Sequence, residues 1–117
     1  MNRPDIENLI GQELFKFKND FLREAFEKII VEPYEKMLWW GWTEPYGEFS
    51  SWVIADLQIR QVGVAHSKAG FGKDGNVWGL IFLTDKSSFG ADYSWYKSLE
   101  ELAIDSGYWD EKGNWIY

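Results

Sequence analysis

The stretch VWGLIFLT, residues 77–84, decides the fold class of this chain, because eight residues rich in large apolar side chains are typical of a buried strand. Two segments before it, SWVIADL (51–57) and IRQVGVAH (59–66), share its enrichment in Val and Ile. In residues 34–42 both alternating sets of positions are rich in apolar side chains, which predicts another strand, buried on both faces. The middle of the chain is therefore predicted to form an antiparallel sheet of four or five strands.

Helical patterns flank this predicted sheet. Before it, apolar residues from Ile6 to Ile29 recur at spacings of three and four, which predicts helix over about residues 5–31. Asn19 or Asp20 could begin a second helix there, and Pro33 is expected to close the segment. After the sheet, SLEE (98–101) has the capping-box pattern of a helix start.

These patterns predict an α+β fold. It has an N-terminal helical segment, a central antiparallel sheet of four or five strands, and one later helix packed on the sheet, ended by Gly107. The tail YWDEKGNWIY (108–117) predicts a short hairpin or a strand docked on the sheet. At 117 residues the chain, residues 1–117, is expected to be a single domain.

Charge and composition limit the function classes. The net charge is −7, and two segments contribute −4 each: residues 32–57 have five acids against one base, and residues 85–117 have seven against three. Such a chain repels phosphate, so nucleic acid and anionic membranes are not expected as partners, whereas a basic protein is. The sequence has no cysteine, no secretory leader pattern and no apolar run of about twenty residues, so a cytoplasmic protein is expected.

The string GFGKDG (70–75) matches the glycine pattern of dinucleotide-binding loops. That site needs a helix after the third glycine, but strand-forming residues follow it here. The string therefore predicts a hairpin loop whose glycines supply positive φ. A remaining use is a flexible, locally basic binding loop with Lys68 and Lys73.

The chain has one histidine, His66, so any histidine general base must be His66. Ser67 lies beside it in the sequence, and Asp56, Asp85 or Asp92 could complete a catalytic triad, but no nucleophile-elbow motif is present. A structural histidine is the favoured interpretation.

Acidic pairs that could serve a glycosidase are interpreted as solvated or helix-dipole residues. They are Glu44 with Glu48, Glu100 with Glu101, and Asp110 with Glu111. No catalytic residue, metal ligand or cofactor is predicted, since metal sites favour histidine and cysteine clusters or repeated aspartates.

Aromatic and acidic residues coincide in two segments. Tryptophan and tyrosine are enriched in interface hot spots, and neighbouring acids would complement Arg or Lys of a partner. The predicted partner-binding residues are Trp39, Glu44, Tyr46, Glu48, Asp92, Trp95, Trp109, Asp110 and Glu111. Within the aromatic set, Trp40, Trp42, Trp52 and Trp78 are predicted to be core, and Trp39, Tyr46, Trp95 and Trp109 to be at the surface.

These features favour a non-enzymatic acidic binding protein that neutralises or regulates a basic protein partner, as immunity and inhibitor proteins do. The strings GN (75–76), VWGL (77–80) and SLEE (98–101) have a general likeness to bacterial immunity-type domains, without identifying a family. One alternative is a small-molecule or carbohydrate-binding module with a Trp-lined pocket. A second alternative is a small hydrolase that uses His66.

Overall fold

The structure is a computed structural model that describes residues 2–40, 47–71, 75–83 and 95–116. Along the chain, two described helices are followed by five strands and then by a third helix. They are α1 (Arg3–Lys16), α2 (Asp20–Glu27), β1 (Ile30–Trp40), β2 (Gly47–Asp56), β3 (Val62–Phe71), β4 (Asn76–Phe82), β5 (Trp95–Tyr96) and α3 (Leu99–Ser106). The five strands lie in the order β1-β2-β3-β4-β5, and every neighbouring pair is antiparallel. The predicted α+β arrangement is confirmed.

The N-terminal helical segment is two helices with a break at the predicted place. The side-chain oxygen of Asn19 accepts hydrogen bonds from the backbone N–H groups of Phe21 and Leu22, so Asn19 is the N-cap of α2. The predicted extension of helix to residue 31 is wrong, because β1 already begins at Ile30. Pro33 lies inside β1, where the register to β2 is irregular, and an edge strand tolerates its missing N–H.

Strand β1 is an edge of the sheet, and this overturns the prediction of a strand buried on both faces. Leu38 is buried, but Tyr34, Met37 and Trp39 are 47%, 57% and 54% exposed. At an edge, a strand has a strand neighbour on one side only, so fewer side chains cover it. The apolar composition of β1 is therefore partly a surface property.

Each face of the sheet has a hydrophobic cluster. The larger cluster packs the three described helices on the sheet and includes Ile6, Phe26, Ile54, Val64, Trp78, Leu99 and Leu102. The smaller cluster consists of Leu38, Val53, Ala65, Ile81 and Trp95. Because side chains alternate along a strand, neighbours such as Val64 and Ala65 contribute to different clusters.

The glycine-rich string joins β3 to β4, as predicted. Phe71 pairs with Asn76, so both strands extend beyond the predicted strand segments 59–66 and 77–84. Gly70 and Gly75 have φ of 74° and 63°. A strand rather than a helix follows Gly75, so the arrangement required for dinucleotide binding is missing at this point.

Helix α3 and the C-terminal hairpin complete the described fold. The Ser98 hydroxyl accepts a hydrogen bond from the Glu101 N–H, and Gly107 ends the helix with a φ of 77°, both as predicted. Trp109 pairs with Trp115, which confirms the predicted hairpin. The hairpin packs against α2 so closely that a Cβ at Gly113 would overlap the Phe21 carbonyl oxygen.

No helix in the described ranges is both long and apolar enough to cross a membrane.

Candidate functional site

One row of side chains crosses the sheet from the core to the solvent. The strand register aligns Glu35, Trp52, His66, Trp78 and Tyr96 on β1 to β5, and residues aligned in this way share one face. Trp78 and Tyr96 are buried in the larger cluster, whereas Glu35 is exposed. The face that the helices cover at β4 and β5 is therefore open toward the edge strand.

We call this part of the sheet the open face and define it by Glu35, Met37 and Trp39 on β1 and Glu48 and Ser50 on β2. Met37 lies opposite Ser50, and Trp39 lies opposite Glu48. All five side chains are exposed. The Glu35 and Glu48 carboxylates form no ion pair with any residue that the structure describes. The open face thus combines exposed apolar surface with carboxylates that are available to a partner.

A cleft of about 180 Å³ adjoins the open face. Its lining comes from three strands: Glu35 of β1, Ser50 and Trp52 of β2, and His66 and Lys68 of β3. Trp52 is half-buried and packs against the larger cluster. The cleft therefore offers a carboxylate, a hydroxyl, an indole, an imidazole and an ammonium group.

His66 is the buried polar group of this cleft. His66 is only 5% exposed, and its ring packs edge to face against the Trp78 ring, with the ring centroids 4.7 Å apart. Burial lowers the pKa of His66 to about 4, because a charged imidazolium loses its hydration there. The ring is therefore neutral near pH 7 and has one donor and one acceptor nitrogen. The Nδ1 atom is buried and has no hydrogen-bond partner in the described part of the chain.

The geometry separates His66 from the serine beside it. Consecutive strand residues point to opposite faces, so Ser67 faces away from the cleft. The Ser67 hydroxyl donates to the Ser50 carbonyl oxygen at 3.3 Å. Of the aspartates considered for a triad, Asp56 accepts a hydrogen bond from the Gln58 N–H, and Asp85 and Asp92 lie outside the described residues. A His66–Ser67 dyad is excluded by this alternation.

Within the described ranges, no three His, Cys, Asp or Glu side chains are grouped so that they could hold a metal ion.

Two of the predicted partner-binding residues meet on the open face. Trp39 is exposed, as predicted, and Glu48 is its cross-strand neighbour. Glu44, Tyr46 and Asp92 lie outside the described residues.

Trp95 and Trp109 are buried, which corrects their predicted place at the surface. Trp95 is 2% exposed and belongs to the smaller cluster, where it lies opposite Gly79. Trp109 is 6% exposed, and its ring packs 6.1 Å from that of Phe26 and 5.5 Å from that of Trp115. Both indoles fill space that neighbouring elements leave, a property that sequence spacing does not reveal.

Asp110 and Glu111 are exposed on the C-terminal hairpin. The Asp110 carboxylate accepts hydrogen bonds from the N–H groups of Asn114 and Lys112, both at 2.9 Å, and these bonds lower its pKa. Asp110 therefore shapes the hairpin turn as well as adding charge.

Glu100, from another of the acidic pairs, also has a structural role. Its carboxylate accepts hydrogen bonds from the N–H groups of Lys18 and Asn19 and so holds the connection between α1 and α2.

Among the predicted core tryptophans, Trp78 is confirmed as core at 2% exposure. Trp52 is only half-buried, because its strand position lies at the border between the helix-covered surface and the cleft. The predictions for the side chains of Trp40 and Trp42 lie outside the described part of the chain.

The sequence reasoning missed Met37, Glu35 and Ser50 as members of a surface. A signal was present, since residues 35, 37 and 39 alternate along one strand and so share a face. The register that adds Ser50 depends on the pairing of β1 with β2. In comparisons with known proteins, no protein-family model, curated protein or solved structure matches this chain.

Proposed function

We propose that this chain is a non-enzymatic acidic binding protein that neutralises or regulates a basic protein partner, as an immunity or inhibitor protein does. The observation that carries the proposal is the open face. Trp39 and Met37 are more than half exposed there, directly beside the carboxylates of Glu35 and Glu48.

The physical argument for an interface rests on apolar area and charge together. Large exposed side chains such as those of Trp39 and Met37 gain free energy when a partner removes them from water. Flanking carboxylates repel an acidic surface and attract a basic one, which sets the choice of partner and speeds association. With a net charge of −7, the whole molecule adds to this attraction.

The same proposal places the protein in the bacterial cytoplasm. A cysteine-free sequence suits that reducing compartment, and the general likeness to immunity-type domains suggests the bacterial source.

The test uses the protein encoded by the gene next to that of this chain, if that protein has a basic domain. Its toxicity to the host cell is measured with and without this chain, and the affinity of the purified pair is measured by calorimetry. We expect Trp39→Ala and Glu48→Lys each to weaken binding at least tenfold, since the first removes an apolar anchor and the second reverses a complementary charge.

Two matched controls lie on helices and are not part of the open face. Phe15→Ala removes an aromatic side chain on α1 that is 89% exposed, and Glu24→Lys reverses an exposed charge on α2. Both variants should bind as the unaltered protein does. Equal affinity of all four variants would show that the open face does not contact the partner. If this chain bound no basic protein encoded by a neighbouring gene, the proposed function itself would be contradicted.

A second candidate function, a small-molecule or carbohydrate-binding module, is supported by the cleft beside Trp52. Titration of tryptophan fluorescence with a panel of sugars and metabolites tests it. A saturable response that Trp52→Phe changes would favour this candidate, and a flat response across the panel would count against it.

A further inference from the structure

The cleft beside the open face contains an unmet hydrogen-bonding requirement. His66 is 95% buried and lines the cleft, and its Nδ1 atom has no hydrogen-bond partner among the residues that the structure describes. A buried polar atom that lacks a hydrogen bond destabilises the folded protein, because it has lost its hydration without gaining a partner. A group that enters the cleft and donates a hydrogen bond to Nδ1 would remove that cost, whereas a bond to Nε2 would not.

We propose that the cleft formed by Glu35, Ser50, Trp52 and His66 receives the guanidinium group of an arginine side chain of the basic partner. This inference rests on the proposed function, because it names how that partner is recognised at the same surface.

The lining of the cleft suits a planar cation. The Glu35 carboxylate, the Ser50 hydroxyl and the acceptor nitrogen of the neutral His66 ring can each accept a hydrogen bond from a guanidinium N–H. The indole of Trp52 supplies an aromatic face, on which arginine stacks more readily than lysine. Arginine carries five N–H donors in a fixed plane, whereas a lysine ammonium is a compact point charge. Several acceptors at different places in one cleft therefore favour arginine.

Lys68 is the cation in the lining, and it opposes this occupant. Its side chain is exposed, so its ammonium group keeps its hydration on a flexible stem. The proposal therefore predicts the sign of a substitution: neutralising Lys68 should strengthen the binding of an arginine. An anionic ligand requires the opposite sign.

The occupant is assigned to a partner protein rather than to a free ligand because the cleft continues into the open face. Glu35 and Ser50 belong to both, and Ser50 lies opposite the exposed Met37. A partner that covers Met37 and Trp39 would therefore also cover the mouth of the cleft, and its charge complements the carboxylates there.

The experiment follows the His66 ring and the Trp52 indole N–H of the full chain by NMR during titration with N-acetyl-arginine methylamide. We expect saturable shifts of both signals with a dissociation constant on the order of a few millimolar, as one isolated side chain can provide. N-acetyl-citrulline methylamide, the neutral analogue, should bind at least fivefold more weakly. N-acetyl-glutamate methylamide should not bind.

Variants assign the binding to the cleft. Glu35→Gln should lower the affinity for the arginine probe at least fivefold, because it removes an attractive charge. Lys68→Gln should raise that affinity about twofold, because it removes a repulsive one; both effects are of the size expected for exposed charges. The control Glu24→Gln lies on α2 and should leave binding unchanged.

Other outcomes would overturn the proposal. Equal binding of the citrulline analogue would show that charge is not recognised, and binding of the glutamate probe that Lys68→Gln abolishes would make the cleft an anion site. If Trp39→Ala weakens binding of the basic partner but the arginine probe does not shift the His66 signals, the proposed function stands and the arginine site is wrong. If the probe binds but no basic protein does, the occupant is a free guanidino compound, and the assignment to a partner is wrong.

Discussion

Gly79 of β4 lies opposite Trp95 of β5, and the indole of Trp95 occupies the space that a side chain at position 79 would need. A Cβ at Gly79 would lie 2.6 Å from both Cδ2 and Cε2 of Trp95. This close approach explains why Trp95 is buried in the smaller cluster instead of forming part of a binding surface. It also makes position 79 a sensitive test of the packing.

Gly79→Ala should lower the free energy of unfolding by about 2 kcal/mol, because the indole must move out of a packed cluster. Urea denaturation measures the change. The matched control is Gly11→Ala in α1, where the added Cβ would meet no described atom within 4 Å apart from its chain neighbours and the surrounding helix backbone. The control should be stabilised by about 0.5–1 kcal/mol, since alanine favours helix. An unchanged stability of Gly79→Ala would contradict the packing of Trp95.

His66 should titrate with a midpoint near pH 4 when its ring protons are followed by NMR, since burial lowers its pKa to about 4. The unfolded chain binds that proton near pH 6.5. Folded and unfolded chains therefore differ in protonation between about pH 6.5 and 4, and stability falls as the pH is lowered through this window.

The variant His66→Gln isolates this effect from the titration of carboxylates. The free energy of unfolding of the unaltered protein, relative to that of His66→Gln, should decrease from pH 6.5 to pH 4 and be constant above pH 7. An NMR midpoint near 6.5 would show instead that the ring is solvated.

Asn19 links two parts of the structure, because it caps α2 and its Nδ2 donates to the Glu111 carbonyl oxygen at 2.7 Å. Asn19→Ala should cost about 1–2 kcal/mol through loss of the cap and should speed amide exchange at Gly113 and Ile116 of the hairpin. Asn19→Asp keeps an acceptor for the cap but loses the donor. It should therefore retain most of the stability while the hairpin amides still exchange faster.

The control for this prediction is Ser98→Ala, which removes an N-cap of α3 and no bond to the hairpin. Its effect on exchange at Gly113 and Ile116 should follow global stability alone. If Asn19→Asp and the unaltered protein exchange alike at these amides, the link from Asn19 to the hairpin is not significant.

Local signals in the sequence predicted the elements well wherever a short-range interaction forms them. Asn19, Ser98 and Gly107 act within one helical turn, so their roles as caps and stop follow from residue type. The glycines at 70 and 75 likewise predicted the hairpin between β3 and β4, because positive φ is a local property. The errors at element ends, such as the start of β1 at Ile30, come from pairing with a distant strand.

The sequence by itself determined the α+β class, the excess of acid and the types of side chain that could contact a partner. Only the tertiary structure decided which of them are available: strand order made β1 an edge and exposed Trp39, whereas packing against Gly79 and Phe26 buried Trp95 and Trp109. Register alone brought Glu35, Ser50 and His66 to one cleft. The physical reason is that burial and cross-strand contacts depend on residues far apart in the chain, and the periodicity of a single strand does not specify which residues those are.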